Sequence, residues 1–328
     1  MIFMIRAGRA KTSRYHRRMP ADLPLLRSCR LAVGDGHELQ VQEFGNPAGL
    51  PAVVLHGGPG SGSSPVLRRG FDAARWRVVC IDQRGAGGSR PRGGTEHNRT
   101  GDLIEDIRLV RETLAIERWL VAGGSWGATL AVAYAAAEPQ AVTALLLRAS
   151  FLARAEDIDG FFSRHAAPHA EAWQALHAVA GDDPLPTLAH LLHEGDIDDR
   201  RRAAAAWWAW EQALATGARD AVLPSDEALA FQVDRLRVQA HYLLHGCWLT
   251  QPTLLERCAL LPRVPTLLLH SRDDRICPPD GATALHAKLP HSRLRWLDEG
   301  GHDAGHPAMT AATTVALSTF AAHGDFAP

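Results

Sequence analysis

No apolar run in the 328-residue sequence approaches the roughly 18 residues that a membrane-spanning helix needs, so no bilayer span is expected. The opening MIFMIRAGRAKTSRYHRRMP is basic but lacks the apolar core of about 7 to 15 residues of a secretion signal. It reads as a flexible leader over about residues 1–29, with Met19 as an alternative start. An excess of one charge is missing too. Thirty-five Lys and Arg against 36 Asp and Glu leave a formal net charge of −1, which offers nucleic acid no electrostatic footprint. Five cysteines, at positions 29, 80, 247, 258 and 277, form no CxxC pair, and an odd count argues against a full disulfide set. A reducing cytoplasm fits that usage. The glycine clusters complete neither GxxxxGK[ST] nor GxGxxG, so a phosphate-cradling loop is not supported, and no internal repeat is visible.

What is present is an ordinary globular composition, 46% apolar and 22% charged, on a chain long enough to bury a large core. Between about residues 30 and 150, short β-rich runs alternate with helical or glycine-rich segments. LQVQEFG has the period-two alternation of a strand, and AVVLHG, WRVVCIDQ, WLVAGG and ALLLRAS are short β-rich runs, the later ones apolar enough to be covered on both faces. TGDLIEDIRLVRETLAI predicts a helix with Thr100 as N-cap and Leu103, Ile107, Val110 and Leu114 on one face. Such alternation predicts an α/β fold with a mostly parallel sheet. From about 151 to 248 the composition turns to Ala, His, Trp and charge with helical patterning, the signature of an inserted helical cap. The strand pattern returns in VPTLLLHS and LRWLDEGG, so residues 249–328 complete the α/β core begun at residue 30.

Gly123-Gly124-Ser125-Trp126-Gly127 fits G-x-S-x-G between an apolar strand and a helix, the setting of a nucleophile elbow. A serine N-cap between turn glycines would explain the pentapeptide alone. A serine hydroxyl is a weak nucleophile, however, and needs a base and a group that orients the base. In this fold the order along the chain is Ser, acid, His. The loop SRDDRICPP follows a predicted strand and carries Asp273 and Asp274, either of which could be the acid; pairing with Arg272 or Arg275 is the bland alternative. His302 in GGHDAGH follows a strand and two glycines, a turn able to aim an imidazole, whereas His286, His291 and His306 lack that setting. HGGPG at 56–60 ends another strand. There the N–H of Gly58 is one candidate oxyanion donor, and the amide of Trp126, directly after the serine, is the other.

These residues carry a resemblance to the proline iminopeptidases of the α/β-hydrolase superfamily. HGGPG, DQRGAGGSRP, GGSWGATLAVAYA, SRDDRICPP and GGHD look like that family's successive signatures and run in order over about residues 30–310. The resemblance implies an α/β-hydrolase fold and a serine hydrolase acting through an acyl-enzyme. It selects Asp274 as the acid beside Ser125 and His302, and it supports Gly58 and Trp126 as oxyanion donors. It also implies release of N-terminal proline, or another small residue, from short peptides, with an esterase or amidase indifferent to a free amine as the alternative. No metal or organic cofactor is implied. The family's W-x-x-W-E segment matches WWAWE, which puts Glu211 in the role of amine ligand; Gly57 of HGGPG is counted with it in the substrate-binding set. Trp207 and Glu211, four apart, would share a helix face, with Trp207 as an aromatic wall beside a cation. A second family glutamate is replaced by Gln239, which can accept a hydrogen bond but carries no charge, so weaker amine binding is expected. Cys277 matches a family cysteine near the site.

Overall fold

The computed structural model describes residues 23–164, 167, 169–216 and 224–327. Its elements run β1 (Leu25–Gly34), β2 (His37–Gly45), β3 (Leu50–Leu55), β4 (Trp76–Ile81), α1 (Thr100–Thr113), β5 (Trp119–Gly124), α2 (Trp126–Ala137) and β6 (Val142–Arg148). Five helices follow, α3 (Ala155–Ser163), α4 (Ala170–Ala180), α5 (Pro184–Glu194), α6 (Ile197–Thr216) and α7 (Asp226–Leu244), then the short α8 (Leu254–Arg257). The chain closes with β7 (Thr266–Ser271), α9 (Pro279–Lys288), β8 (Arg293–Leu297) and α10 (Pro307–His323).

The eight strands form one sheet in the order β1-β2-β4-β3-β5-β6-β7-β8. The β1–β2 and β2–β4 pairs are antiparallel, and every other pair is parallel. Parallel strands need crossovers that cover both faces, which is why the central strands are apolar without alternation. Ala52 and Val54 pack with Leu120, Leu146 and α10 on one face. Val53 and Leu55, one residue out of phase, pack with Val121, Leu147, α1 and α2 on the other. Every residue of α2 from Trp126 to Ala136 is buried, so its small, all-round apolar sequence makes a core helix rather than an amphipathic one.

Two expectations change at this level. Residues 25–29, assigned above to a flexible leader, lie in β1 and pair with β2; the strand is an exposed edge whose pattern is too polar to stand out in the sequence. The possible start at Met19 lies outside the described residues. Thr100 is the first residue of α1 rather than its N-cap: its hydroxyl donates to the Cys247 carbonyl at 2.5 Å, while Asp102 accepts from the Arg99 amide at 2.8 Å. No described helix is long and apolar enough to cross a membrane.

The direction of strand addition reverses at β3, with β4 on one side and β5 on the other. In open parallel sheets, the crevice at the carboxyl ends of strands flanking such a reversal is the natural place for a ligand. The loop after β3 and the turn after β5 meet there.

Candidate active site

Ser125 sits between the last residue of β5 and the first of α2, with φ 57° and ψ −127°. A non-glycine residue in that region is strained, and strain of this kind persists only where its surroundings enforce it. The enforcement is visible: the Ser125 amide donates to the Arg148 carbonyl at the end of β6 (2.9 Å), and its own carbonyl accepts the first turn of α2 from Ala128 (2.9 Å). Gly127 must lack a side chain, because a Cβ there would lie 2.2 Å from the Leu55 carbonyl oxygen. The backbone of α2 thereby approaches the end of β3. The α2 N-terminus, with its uncommitted N–H groups and positive dipole end, lies directly behind the hydroxyl.

Asp274 and His302 come from the loops after β7 and β8. The Asp274 carboxylate is buried; Oδ1 accepts the amides of Ile276 (3.0 Å) and Cys277 (2.9 Å), and Oδ2 faces His302 Nδ1 at 2.8 Å. Burial pushes this carboxyl up, but the charge of His302 and the hydrogen bonds outweigh it and hold the pKa below its usual 3.8. Burial likewise pulls His302 down, and the Asp274 charge and hydrogen bond, with smaller help from Glu211 and Asp303, raise it above 6.5. With Nδ1 committed to Asp274, Nε2 is the nitrogen left for a proton from elsewhere. Asp273 is exposed and accepts the Gly301 amide at 2.9 Å, which steadies the turn ahead of His302. Arg272 pairs with Asp298 instead of either aspartate, and His306 accepts the Ala308 amide at the start of α10.

Ser125, His302, Gly57, Gly58, Glu211 and Gln239 all line one cavity of about 290 Å³. Cys277 lines it too, its sulfur 3.9 Å from the Ser125 hydroxyl; burial, and then Asp274, push the thiol well above its ordinary range, so it stays protonated and does not compete as a nucleophile. Gly58 has φ 109°, a conformation that favours glycine.

Two residues whose function the sequence reading missed hold this corner together. The buried His56 ring accepts the Gln83 amide on Nε2 (3.0 Å), and its Nδ1 lies 2.9 Å from the Gly57 carbonyl oxygen and 3.3 Å from the Gly62 amide. Burial holds the ring neutral, below 6.5. The C=O and N–H of one trans peptide point oppositely, so fixing the Gly57 carbonyl also aims the Gly58 N–H. Gln83 then ties the two sides: its amide donates to the His56 carbonyl (3.0 Å) and its oxygen accepts the Trp126 indole N–H (2.8 Å). Both residues stand inside quoted motifs, HGGPG and DQRG, which were the available signal. A third is Arg148, a buried cation beside Gly124 whose pKa burial pulls down to about 10.

The cap side departs from expectation. Trp207 is fully buried and packs on Phe162, with ring centroids 5.2 Å apart; the aromatic residue of this cluster that lines the cavity is Phe161. Helix α6 turns its Trp207 face into the cap core, so Trp207 is a packing residue rather than an aromatic wall. Glu211 does reach the cavity, but it forms an ion pair with Arg235 of α7 and accepts the Gln239 amide at 3.0 Å.

The fold defines an α/β hydrolase, and the profile of that fold family matches residues 51–307. A probable proline iminopeptidase of Leptolyngbya boryana is 36% identical over 310 residues, 92% of this chain and 96% of its own length. A proline iminopeptidase of Xylella fastidiosa is 36% identical over 297 residues, covering 88% and 95%. The crystal structure of a proline iminopeptidase from Mycobacterium smegmatis, 22% identical, superposes with a TM-score of 0.64 over 91% of this chain and 100% of that one, a likeness of fold. The chain belongs to the proline iminopeptidase family.

Proposed function

We infer that the chain is a serine aminopeptidase releasing N-terminal proline, or another small residue, from short peptides. The observation that carries the reading is the 2.8 Å contact between His302 Nδ1 and buried Asp274, on an imidazole that shares its cavity with the strained Ser125. His302 takes the Ser125 proton as the hydroxyl attacks the scissile carbonyl, and Asp274 holds the imidazole in the productive tautomer. The N–H groups of Gly58 and Trp126 receive the oxyanion. His302 then protonates the leaving amine, and water, activated by the same imidazole, hydrolyses the acyl-enzyme. Glu211 is the anionic group of the cap that faces the substrate's amine, with Gly57 and Gln239 beside it. The cap limits the cavity to short chains. The described cysteines are all free thiols, which accords with work in a reducing cytoplasm.

The test is hydrolysis of prolyl-naphthylamide by the wild-type chain and by Ser125→Ala. The reading predicts turnover that falls by about 10⁴-fold to 10⁶-fold in the variant while the melting temperature barely moves. Turnover of simple acyl esters with none of prolyl amides would replace it with an esterase reading.

A further inference from the structure

The described residues include three buried arginines, and two of them meet a carboxylate: Arg84 pairs with Asp106 at 2.8 Å, and Arg235 pairs with Glu211. Arg148, at the end of β6 and 4% exposed, is the exception. Its one hydrogen bond among the described residues runs from Nη2 to the Leu67 carbonyl at 3.3 Å. Nε is enclosed without a partner, whereas Nη1 makes no hydrogen bond and is not enclosed, which leaves it able to meet a ligand. Burial alone acts on the group and pulls it down to about 10, so it stays charged at neutral pH with no acid to balance it.

A charge taken out of water without a counter-ion is costly, and the cost is relieved when an anion arrives with its own hydrogen-bond acceptors. Arg148 lines the catalytic cavity with Gly124, Leu67 and Met309, and its Nε stands 3.8 Å from where a Cβ on Gly124, the residue before Ser125, would lie. Three acids line the same cavity. Asp157 is held by Arg154, Glu211 by Arg235, and Asp303 accepts the Gly305 amide at 2.7 Å; none of them offsets the charge of Arg148. The cavity thus has an anionic group on the cap, Glu211, and an unbalanced cation on the sheet side beside the nucleophile.

We propose that Arg148 binds the C-terminal carboxylate of the residue that follows the scissile bond, so that prolyl dipeptides are the preferred substrates. This rests on Ser125 acting as the nucleophile of a prolyl aminopeptidase. A dipeptide is a zwitterion: its amine faces Glu211 and its carboxylate meets a planar guanidinium, whose donors suit two oxygens in one plane. A cavity of about 290 Å³ suits a ligand of that size. In a longer peptide or a terminal amide the same position carries a neutral carbonyl, which gains less from a cation. A guanidinium that only ties β6 to the Leu67 loop would be indifferent to the charge of the leaving group.

The experiment measures kcat/KM for prolyl-alanine and for prolyl-alaninamide, with prolyl-naphthylamide and a simple acyl ester as references, on wild type, Arg148→Met and Arg148→Lys. The wild type should favour the free carboxylate over the amide by about 10-fold to 100-fold. In Arg148→Met the two substrates should come within about three-fold of each other, and Arg148→Lys, which keeps a charge but loses the fork, should lower the preference by about three-fold or more. Each ratio is internal to one protein, so a general loss from altered packing cancels. A wild-type ratio below about three-fold, or a ratio that survives in Arg148→Met, overturns the proposal. Should Arg148→Met fail to fold, Arg148→Lys decides: an unchanged ratio overturns the proposal and a lowered one supports it. Wild type inactive on all three prolyl substrates but active on the ester would sink the prolyl reading instead, and the Arg148 account would then be judged by the same ratio on the acetyl esters of glycolic acid and glycolamide.

Discussion

On the sheet side of the cavity, Ser125 and His302 are held by backbone: strand ends, a buried helix N-terminus, and carboxylates that accept main-chain amides. On the cap side, Glu211, Arg235 and Gln239 hold one another through side chains from two helices. The first arrangement is fixed by the fold and tolerates little change. The second can be rewritten by one substitution without disturbing the sheet. On the proposed function, chemistry lies in the rigid half and amine selectivity in the adjustable half, which is how one fold can serve many substrates.

The sharpest way to break this contrast is on the sheet side. Asp274→Asn keeps the shape of the loop but leaves the imidazole in the wrong tautomer, and kcat should fall by about 10³-fold to 10⁴-fold. Its pH profile carries a second reading. On the proposed mechanism His302 acts only when neutral, and its pKa is raised above 6.5, so kcat/KM of the wild type should climb with pH through a midpoint above 6.5. Burial works against that rise, so losing the Asp274 charge should move the acid limb of any residual activity to lower pH; a limb unmoved in the variant would mean another group titrates.

Next in size is Gly127→Ala. A Cβ 2.2 Å from the Leu55 carbonyl cannot be relieved by a side-chain shift, so urea unfolding should show a loss of about 3 kcal/mol or more. A loss below about 1 kcal/mol would show the elbow to be looser than described. On the proposed mechanism Gln83→Leu should lower kcat by about 10-fold with little change in KM, since it unties the loop that carries Gly58 from Trp126 without touching substrate. An effect on KM alone would contradict that role.

How much of this was legible from sequence divides along the same line. The central strands, the elbow and the His302 turn were readable because local signals, buried apolar runs and glycine-flanked turns, coincide with the fold. Asp274 and Asp273 were not separable by spacing; burial with two amides and His302 on one, and exposure on the other, is what distinguishes them. Strand β1 escaped notice as a polar edge strand. Arg235 was invisible because it reads as one more charge on a helical surface, and its partner lies 24 positions away on another helix. The face of Trp207 was misread for a related reason: the i,i+4 relation to Glu211 puts two residues on one side of a helix, but a long side chain can reach the cavity from a face that otherwise packs into the core. Trp207→Phe gives the smallest effect predicted here, a stability loss of about 1 to 2 kcal/mol with KM for prolyl-naphthylamide unchanged within about two-fold. A large rise in KM would restore it as a substrate contact.

The most direct measurement is active-site labelling with a fluorophosphonate followed by peptide mass mapping, on wild type and His302→Ala. The account predicts one adduct, on Ser125, formed fast in the wild type and slowed by about 10³-fold or more without the imidazole. An adduct on another residue, or labelling of Ser125 at the same rate without His302, would contradict it.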